Sequence, residues 1–327
     1  MKEAIEINTY ENLREMDSDS SQLKSDVLSV IMQTFEAHEA DITFITVLKM
    51  GMTNRSFLFS CKGDRYIMRI PGEGTDLLIN RSQEAEVYNL IKGRGLCDDV
   101  LYINAENGYK ISKYIQDVRV CNPFNSRDVS LCMQKLRAFH RMKLKVSHRF
   151  DLFDKVQFYE DLWKGLPSVY ADYPRTKQQV LSLRGFIDSQ PSEEVLTHID
   201  ANHDNFLFPG ELCDVNSIQL IDWEYAGMQD PVVDLAMFCI YALYDCEQVD
   251  RLIESYFTEG CLPKVRIKIY CYIAVSGLLW SNWCEYKRIL GIEFGVYSLC
   301  QYRYAKDYSV IVQQEMEKNG ESLDAYR

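Results

Sequence analysis

Short apolar runs separated by turn residues fill the chain from residue 42 to 115, and helical spacing governs almost everything after residue 127. This segregation is the strongest constraint on the fold. The runs ITFITVLKM (42–50), SFLFSC (56–61) and RYIMRI (65–70) are broken by turns at 51–55 and 62–64, which predicts an antiparallel meander. Ahead of them, DSDSSQ (17–22) offers capping side chains to an amphipathic helix carrying Leu23, Val27, Val30, Ile31 and Phe35. After them, residues 82–95 read as a helix stopped at Gly93 or Gly95, and strands near 99–105 and 109–115 complete the first part. A loop at 116–126 then leads to a helix at 127–142. The expectation is an α+β chain of two lobes: a β-rich lobe over 1–117 and a mainly helical lobe over 118–327.

Within the helical part, three short β-type segments (194–200, 206–210 and 217–223) frame an ordered set of polar residues. His198, Asp200 and Asn205 lie in the run HIDANHDN (198–205), and Asp222 follows in LIDWEYAG (220–227). Transfer of the γ-phosphoryl group of ATP to an alcohol needs one carboxylate beside the attacking hydroxyl and hard oxygen ligands for Mg²⁺. Asp200 is the candidate base, Asn205 and Asp222 are the candidate metal ligands, and His198 is expected to hold the loop by hydrogen bonding. Asp, Asn and His also populate turns for local hydrogen-bonding reasons, so the order of the whole set, not any one member, carries the reading.

The first part offers a matching nucleotide half. Gly51 sits between two strands as a phosphate-covering turn requires, with Thr53, Asn54 and Ser56 as polar contacts. Arg69 ends the third strand, where a phosphate-binding cation is expected, and Glu84 in the following helix is placed to pair with it. Asp234, in DPVVDLAMF (230–238), is expected to cap a helix or to hold the catalytic loop.

Composition narrows the partners. A net charge of -12, with no Lys/Arg cluster, excludes a nucleic-acid backbone binder and suits a neutral or cationic small molecule. Eleven cysteines without a C-x-x-C pair suggest a reducing, cytoplasmic setting. The longest apolar stretches are too short to span a bilayer, and the N-terminus lacks the pattern of a secretory leader. Oligomeric state is not legible.

Six segments, GMTNRSF (51–57), IMRIPGEGT (67–75), EAEVYNLIKGRGL (84–96), HIDANHDN, LIDWEYAG and WSNWCEYKRILGIEFG (280–295), resemble the choline/ethanolamine kinase family in its bacterial form. The catalytic segments are shared with aminoglycoside phosphotransferases, whereas W-x-x-W followed by I-E-F-G is particular to choline kinases. The resemblance implies a protein-kinase-like fold, ATP and Mg²⁺ as cofactors, and phosphorylation of choline to phosphocholine. It makes Asp200 the base, Asn205 and Asp222 the magnesium ligands, and Arg69 with Glu84 the phosphate pair, and it places the adenine hinge at 112–117 with Tyr114 and Ile115. Trp280, Trp283 and Tyr225 match choline-pocket residues, with Glu224 and Tyr302 as further candidates and Tyr241, Tyr244 and Asp245 as weaker ones. An acidic pocket residue expected around Ile240 is missing, and a tyrosine expected near Leu299 is replaced by Tyr297 and Tyr302 on either side.

Tryptophans three apart share one helix face, and two facing π-surfaces attract a quaternary ammonium; the same spacing also serves core packing. Three functions stay open: a choline kinase, a kinase for ethanolamine, an aminoglycoside or another amino alcohol, and a non-catalytic ATP- or choline-binding sensor. A protein kinase is disfavoured, because the stretch between Asp222 and Asp234 is too short for an activation segment and no A-P-E motif follows.

Overall fold

The computed structural model describes residues 25–48, 54–72, 75, 77–163, 165–210 and 213–326. Gly51 and Thr53, the turn around them, and the proposed cap and Leu23 of the first helix lie outside the described residues. The chain divides into two compact units. One comprises Met1–Val118, Pro209–Glu211 and Gln219–Glu224; the other comprises Arg119–Phe208, Leu212–Ile218 and Tyr225–Arg327. Two short returning segments therefore belong with the first unit, an arrangement that a single cut along the sequence does not represent.

In the first unit, α1 (Ser25–Phe35) precedes the strands β1 (Ile42–Val47), β2 (Asn54–Cys61) and β3 (Asp64–Pro71). Helix α2 (Arg81–Ile91) leads to β4 (Val100–Ile103) and β5 (Lys110–Lys113). The sheet order is β1-β2-β3-β5-β4, with antiparallel neighbours. The meander expected from the sequence is present in β1–β3, while β5 pairs with β3 and leaves β4 at the edge. Strand alternation divides the two faces of this sheet. Met68 and Ile70 join Val27, Ile31 and Phe35 of α1 in a buried cluster with Ile45, Phe59 and Ile111. Phe35 packs at 4.4 Å from Tyr66 and edge-on at 5.9 Å to Phe59, which seats α1 on the sheet. The opposite face carries a polar row, because the register places Ser56 beside Arg69 and Arg69 beside Lys110.

Helix α2 starts where Asn80 accepts hydrogen bonds from the backbone N–H groups of Ser82 and Gln83, and Gly93 (φ 71°) lies just beyond its end. The predicted boundaries were 82–95; the capping asparagine and the glycine explain the shift.

The second unit is built around one long helix. In chain order come β6 (Val118–Val120), α3 (Ser126–Arg141), α4 (Leu152–Leu162), α5 (Tyr173–Leu181), α6 (Arg184–Ser189), β7 (Val195–Thr197), β8 (Phe206–Pro209), β9 (Gln219–Leu220), which lies in a returning segment of the first unit, and β10 (Gly227–Gln229). They are followed by α7 (Val233–Tyr241), α8 (Cys246–Tyr256), α9 (Pro263–Ile289) and α10 (Val296–Lys318). Strand β6 falls in the stretch expected to be loop, and β10 lies outside the three expected β-type segments, both being three residues long. From Ile267 to Lys287 every residue of α9 is buried, Lys268, Asn282, Glu285 and Lys287 included, because neighbouring elements enclose it. Gly277 permits the closest approach of α10: a Cβ there would lie 2.6 Å from the carbonyl oxygen of Gln301 and 2.9 Å from the amide nitrogen of Ala305. Among the described residues, no helix is long and apolar enough to cross a membrane.

Candidate active site

Asp200 follows β7 at a strained backbone position. Ile199 has φ 69°, a left-handed conformation that a β-branched residue adopts only when its surroundings impose it. Asp234, fully buried at the start of α7, imposes it by accepting the backbone N–H of His198 at 3.0 Å and that of Ile199 at 2.8 Å. The Asp234 carboxylate is held in turn by His140 Nε2 at 2.9 Å, whose Nδ1 is 2.8 Å from the Tyr256 hydroxyl. With the phenol donating to Nδ1, the ring carries its proton on Nε2 and donates it to Asp234. Of the two roles expected for Asp234, holding the loop is the one seen; α7 takes no side-chain cap from it. His198 is buried and contributes its backbone N–H to this grip.

Asn205 ends a single 3₁₀ turn (His203–Asn205) capped by Asn202, whose side-chain oxygen accepts from the N–H groups of Asp204 and Asn205. Asn205 Nδ2 donates to the Asp200 backbone oxygen at 2.8 Å and to its carboxylate at 3.1 Å. Asn202 Nδ2 donates to the other carboxylate oxygen at 3.2 Å. The Asp200 side chain is thus oriented by amide donors, and the spent Nδ2 of Asn205 leaves its Oδ1 as the face suited to a hard cation.

Aromatic rings gather at Asp200. Burial pushes the Tyr241 phenol far up, and the charge of Asp200 with a hydrogen bond to its side chain pushes it further. Tyr241 lies 6.1 Å from Tyr297 in a stacked pair and 5.8 Å from Trp280. Tyr225 meets Trp280 edge-on at 5.4 Å. Trp280 and Trp283 do share a helix side, but their rings meet edge to face at 6.0 Å and 75°, not as parallel walls. The Trp283 ring is already packed by Phe294 at 5.0 Å and covered by the Lys287 ammonium at 5.2 Å. Tyr302 is placed apart from this group: its hydroxyl donates to Asp172 and bonds Thr176, and its ring stacks on Tyr170 at 3.8 Å. Tyr302 is the pocket candidate named from the sequence; Tyr297, which is not, is the tyrosine that packs beside Tyr241. Tyr244 donates to the Pro123 carbonyl, and Asp245 forms the capping box of α8.

In the first unit, Arg69 forms a two-pronged ion pair with Glu84, with a further bond from Nη2 to the Gly108 carbonyl at 3.1 Å. Burial alone would raise the Glu84 carboxyl, but the Arg69 charge and hydrogen bonds, with Lys110 and Arg81 behind them, bring it down to about 2. Ser56 is Arg69's cross-strand neighbour, and Asn54 Nδ2 donates to Glu224 at 2.8 Å. Glu224, expected in the acceptor pocket, instead accepts from Asn54 and Arg81. Burial, and then the neighbouring Asp222, raise its carboxyl against the pull of Arg69. Asp222 has φ 69°; burial raises its carboxyl, opposed first by Lys110 and then by Arg69. A carboxylate kept from water in this way is suited to a hard cation. No cluster of three or more His, Cys, Asp or Glu ligands occurs among the described residues, and a Mg²⁺ that shares its shell with phosphates needs none. Tyr114 donates its N–H to the Arg65 carbonyl at 2.9 Å, next to Ile115, along the edge of β3.

Two cations here were not singled out in the sequence. Arg81 opens α2, and Lys110 donates to the Tyr88 hydroxyl at 2.6 Å beneath its ring. An R-x-x-E step at a helix start could have flagged Arg81. Lys110 carries no such signal, since Lys113 on the same strand is exposed.

Comparison with known proteins agrees with this chemistry. The family described as choline/ethanolamine kinase matches residues 45–256. Protein LicA of Haemophilus influenzae is 26% identical over 274 residues, covering 80% of this chain and 78% of that protein. Ethanolamine kinase 2 of Rattus norvegicus is 28% identical over 57% of this chain and 50% of its own length. The solved choline kinase LicA from Streptococcus pneumoniae superposes with a TM-score of 0.74 at 25% identity, covering 88% of this chain and all of that one.

Proposed function

The chain belongs to the choline/ethanolamine kinase family, and on that premise we propose that it transfers the γ-phosphoryl group of ATP to the hydroxyl of choline, giving phosphocholine. The observation that carries the choice of acceptor is the aromatic group at the base. Tyr241 bonds the Asp200 side chain and packs against Trp280 and Tyr297. A trimethylammonium offers no N–H, so ring faces are the surfaces that attract it.

In this reading Asp200 orients the alcohol and takes its proton as the bond to phosphorus forms, while Asn202 and Asn205 keep the carboxylate aimed. The Arg69–Glu84 pair presents a fixed cation to the nucleotide phosphates, with Asn54 and Ser56 beside it. Tyr225, Tyr241, Trp280 and Tyr297 form the ammonium side of the pocket; Trp283 supports Trp280 from behind. Asn205 and Asp222 are each suited to hold Mg²⁺, which when bound would supply charge neutralisation on the transferring group. A cytoplasmic site of action accords with ATP as donor and with free thiols throughout.

Ethanolamine is the second reading. The rat relative's name supports it, as does Ile240 standing where an acidic pocket residue was expected. Competition kinetics between choline and ethanolamine, with Asp200→Ala as the blank, decide the matter. Turnover of choline at a kcat/KM at least tenfold that of ethanolamine is expected. Preference for ethanolamine would reassign the acceptor, and metal-dependent ATP binding without transfer to any alcohol would favour a sensor.

A further inference from the structure

Arg81 has no part in the chemistry described above, yet its guanidinium meets four segments of the first unit. Nη1 donates to Glu84 at 3.0 Å, one turn along α2, and to Glu224 at 3.4 Å. Nη2 reaches the Thr75 hydroxyl at 3.2 Å and the Asn54 side-chain oxygen at 3.5 Å. Asn54 closes the ring by donating to the same Glu224 oxygen at 2.8 Å. Both terminal nitrogens are therefore spent on protein acceptors, and the side chain is only 6% exposed. Gly108 (φ 69°) is pressed against it, so that a Cβ there would fall 2.7 Å from Arg81 Cδ and Nε.

The ends of this ring matter. Asn54 opens β2, next in sequence to Thr53, and Glu224 lies two residues beyond Asp222. Glu84, shared with Arg69, connects the ring to the phosphate cation. Burial of two arginines with two carboxylates is expensive unless every partner is present, so removing one member unsettles the rest. We propose that Arg81, Glu224 and Asn54 form a latch that fixes the segment of Asp222 against the start of β2, and that Arg81 is a positioning residue for Mg²⁺-nucleotide binding. This rests on the kinase reading, but nucleotide binding reads it without any acceptor.

The test is a double-mutant cycle with Arg81→Gln, Glu224→Gln and the combined variant. Affinity for Mg²⁺-ADP is measured by calorimetry, and KM for ATP and for the amine by kinetics. Each single change is expected to weaken nucleotide binding about tenfold and raise KM for ATP, with KM for the amine within twofold. The combined variant should be no worse than either single one, because the charge left unpaired by one change is removed by the other. Losses that multiply in the combined variant would overturn the latch and make Arg81 an independent phosphate ligand. If Arg81→Gln fails to fold, Arg81→Lys serves: a lysine keeps the charge but lacks the fork, so about a threefold loss is expected, and wild-type binding would refute the proposal. A wild-type protein that binds Mg²⁺-ADP but phosphorylates no alcohol would overturn the function and leave the cycle readable. One that binds no nucleotide would overturn both.

Discussion

Asp234→Asn is the sharpest single perturbation of the catalytic segment. The native carboxylate accepts three hydrogen bonds, from the His198 and Ile199 amides and from His140. The isosteric amide keeps one oxygen acceptor and turns an NH₂ toward groups that also donate. At least one hydrogen bond to a charged acceptor is lost, about 1.5–3 kcal/mol. The left-handed Ile199, a strain of about 1–3 kcal/mol, loses its counterweight. The lost hydrogen bond, with an NH₂ left facing a donor, predicts a stability loss of roughly 2–4 kcal/mol, reduced by whatever strain Ile199 sheds as it relaxes. Because Asp200 is the next residue, relaxation at Ile199 moves the base, and a displacement of about 1 Å costs on the order of 100-fold in rate. Urea unfolding and steady-state phosphocholine formation measure the two effects, with Tyr256→Phe as a comparison that removes only the bond behind His140 and should cost about 1 kcal/mol. A kcat within threefold of wild type, in a protein as stable as wild type, would refute the argument that Asp234 sets the geometry of the base.

Glu84→Gln should change how stability depends on acidity. The folded carboxyl sits near 2, below its ordinary value, so its contribution is fully present above pH 4.5 and is lost as pH falls through 2. The difference between wild type and variant should shrink by roughly 3 kcal/mol over that window, as read by urea unfolding at each pH. Tyr241→Phe removes the hydroxyl at Asp200 and keeps the ring, so kcat should fall about fivefold with KM for choline nearly unchanged; a large rise in KM would point to the hydroxyl as a binding group. Gly277→Ala places a methyl against the backbone of α10 and should cost about 2 kcal/mol, a fall in Tm of roughly 4–8 °C in a scanning experiment, with KM values unaltered if the rest of the pocket stays put.

The parts of the site legible in the sequence are those in which a local pattern and a chemical requirement coincide. Arg69 and Glu84 could be paired because strand alternation and helix position put both on the face opposite Met68 and Ile70. Asp200 and Asn205 could be joined because only a short loop ending in a single 3₁₀ turn separates them. The pocket was less legible, since Trp280 and Trp283 at helical spacing say which side they share and not how their rings tilt. Tyr302 and Tyr297 are both aromatic residues on α10, and only the rotation of that helix, fixed at Gly277, decides that Tyr297 meets Tyr241 while Tyr302 meets Tyr170.

Two left-handed residues carry this argument further. Ile199 precedes the candidate base and Asp222 is a candidate metal ligand; Asp tolerates a positive φ better than most residues, but a β-branched Ile does not advertise one. Strain of this kind persists only where the surroundings determine the backbone more strongly than its own preference. At Ile199 the surroundings are visible, because Asp234 receives both amides and His140 holds Asp234. The trace of that strain in the sequence is therefore not at Ile199 but at the acidic residue that opens α7 and the histidine that closes α3. Reading such a chain for function means looking for the residues that make an unfavourable turn tolerable, since they are placed by the same requirement that places the base.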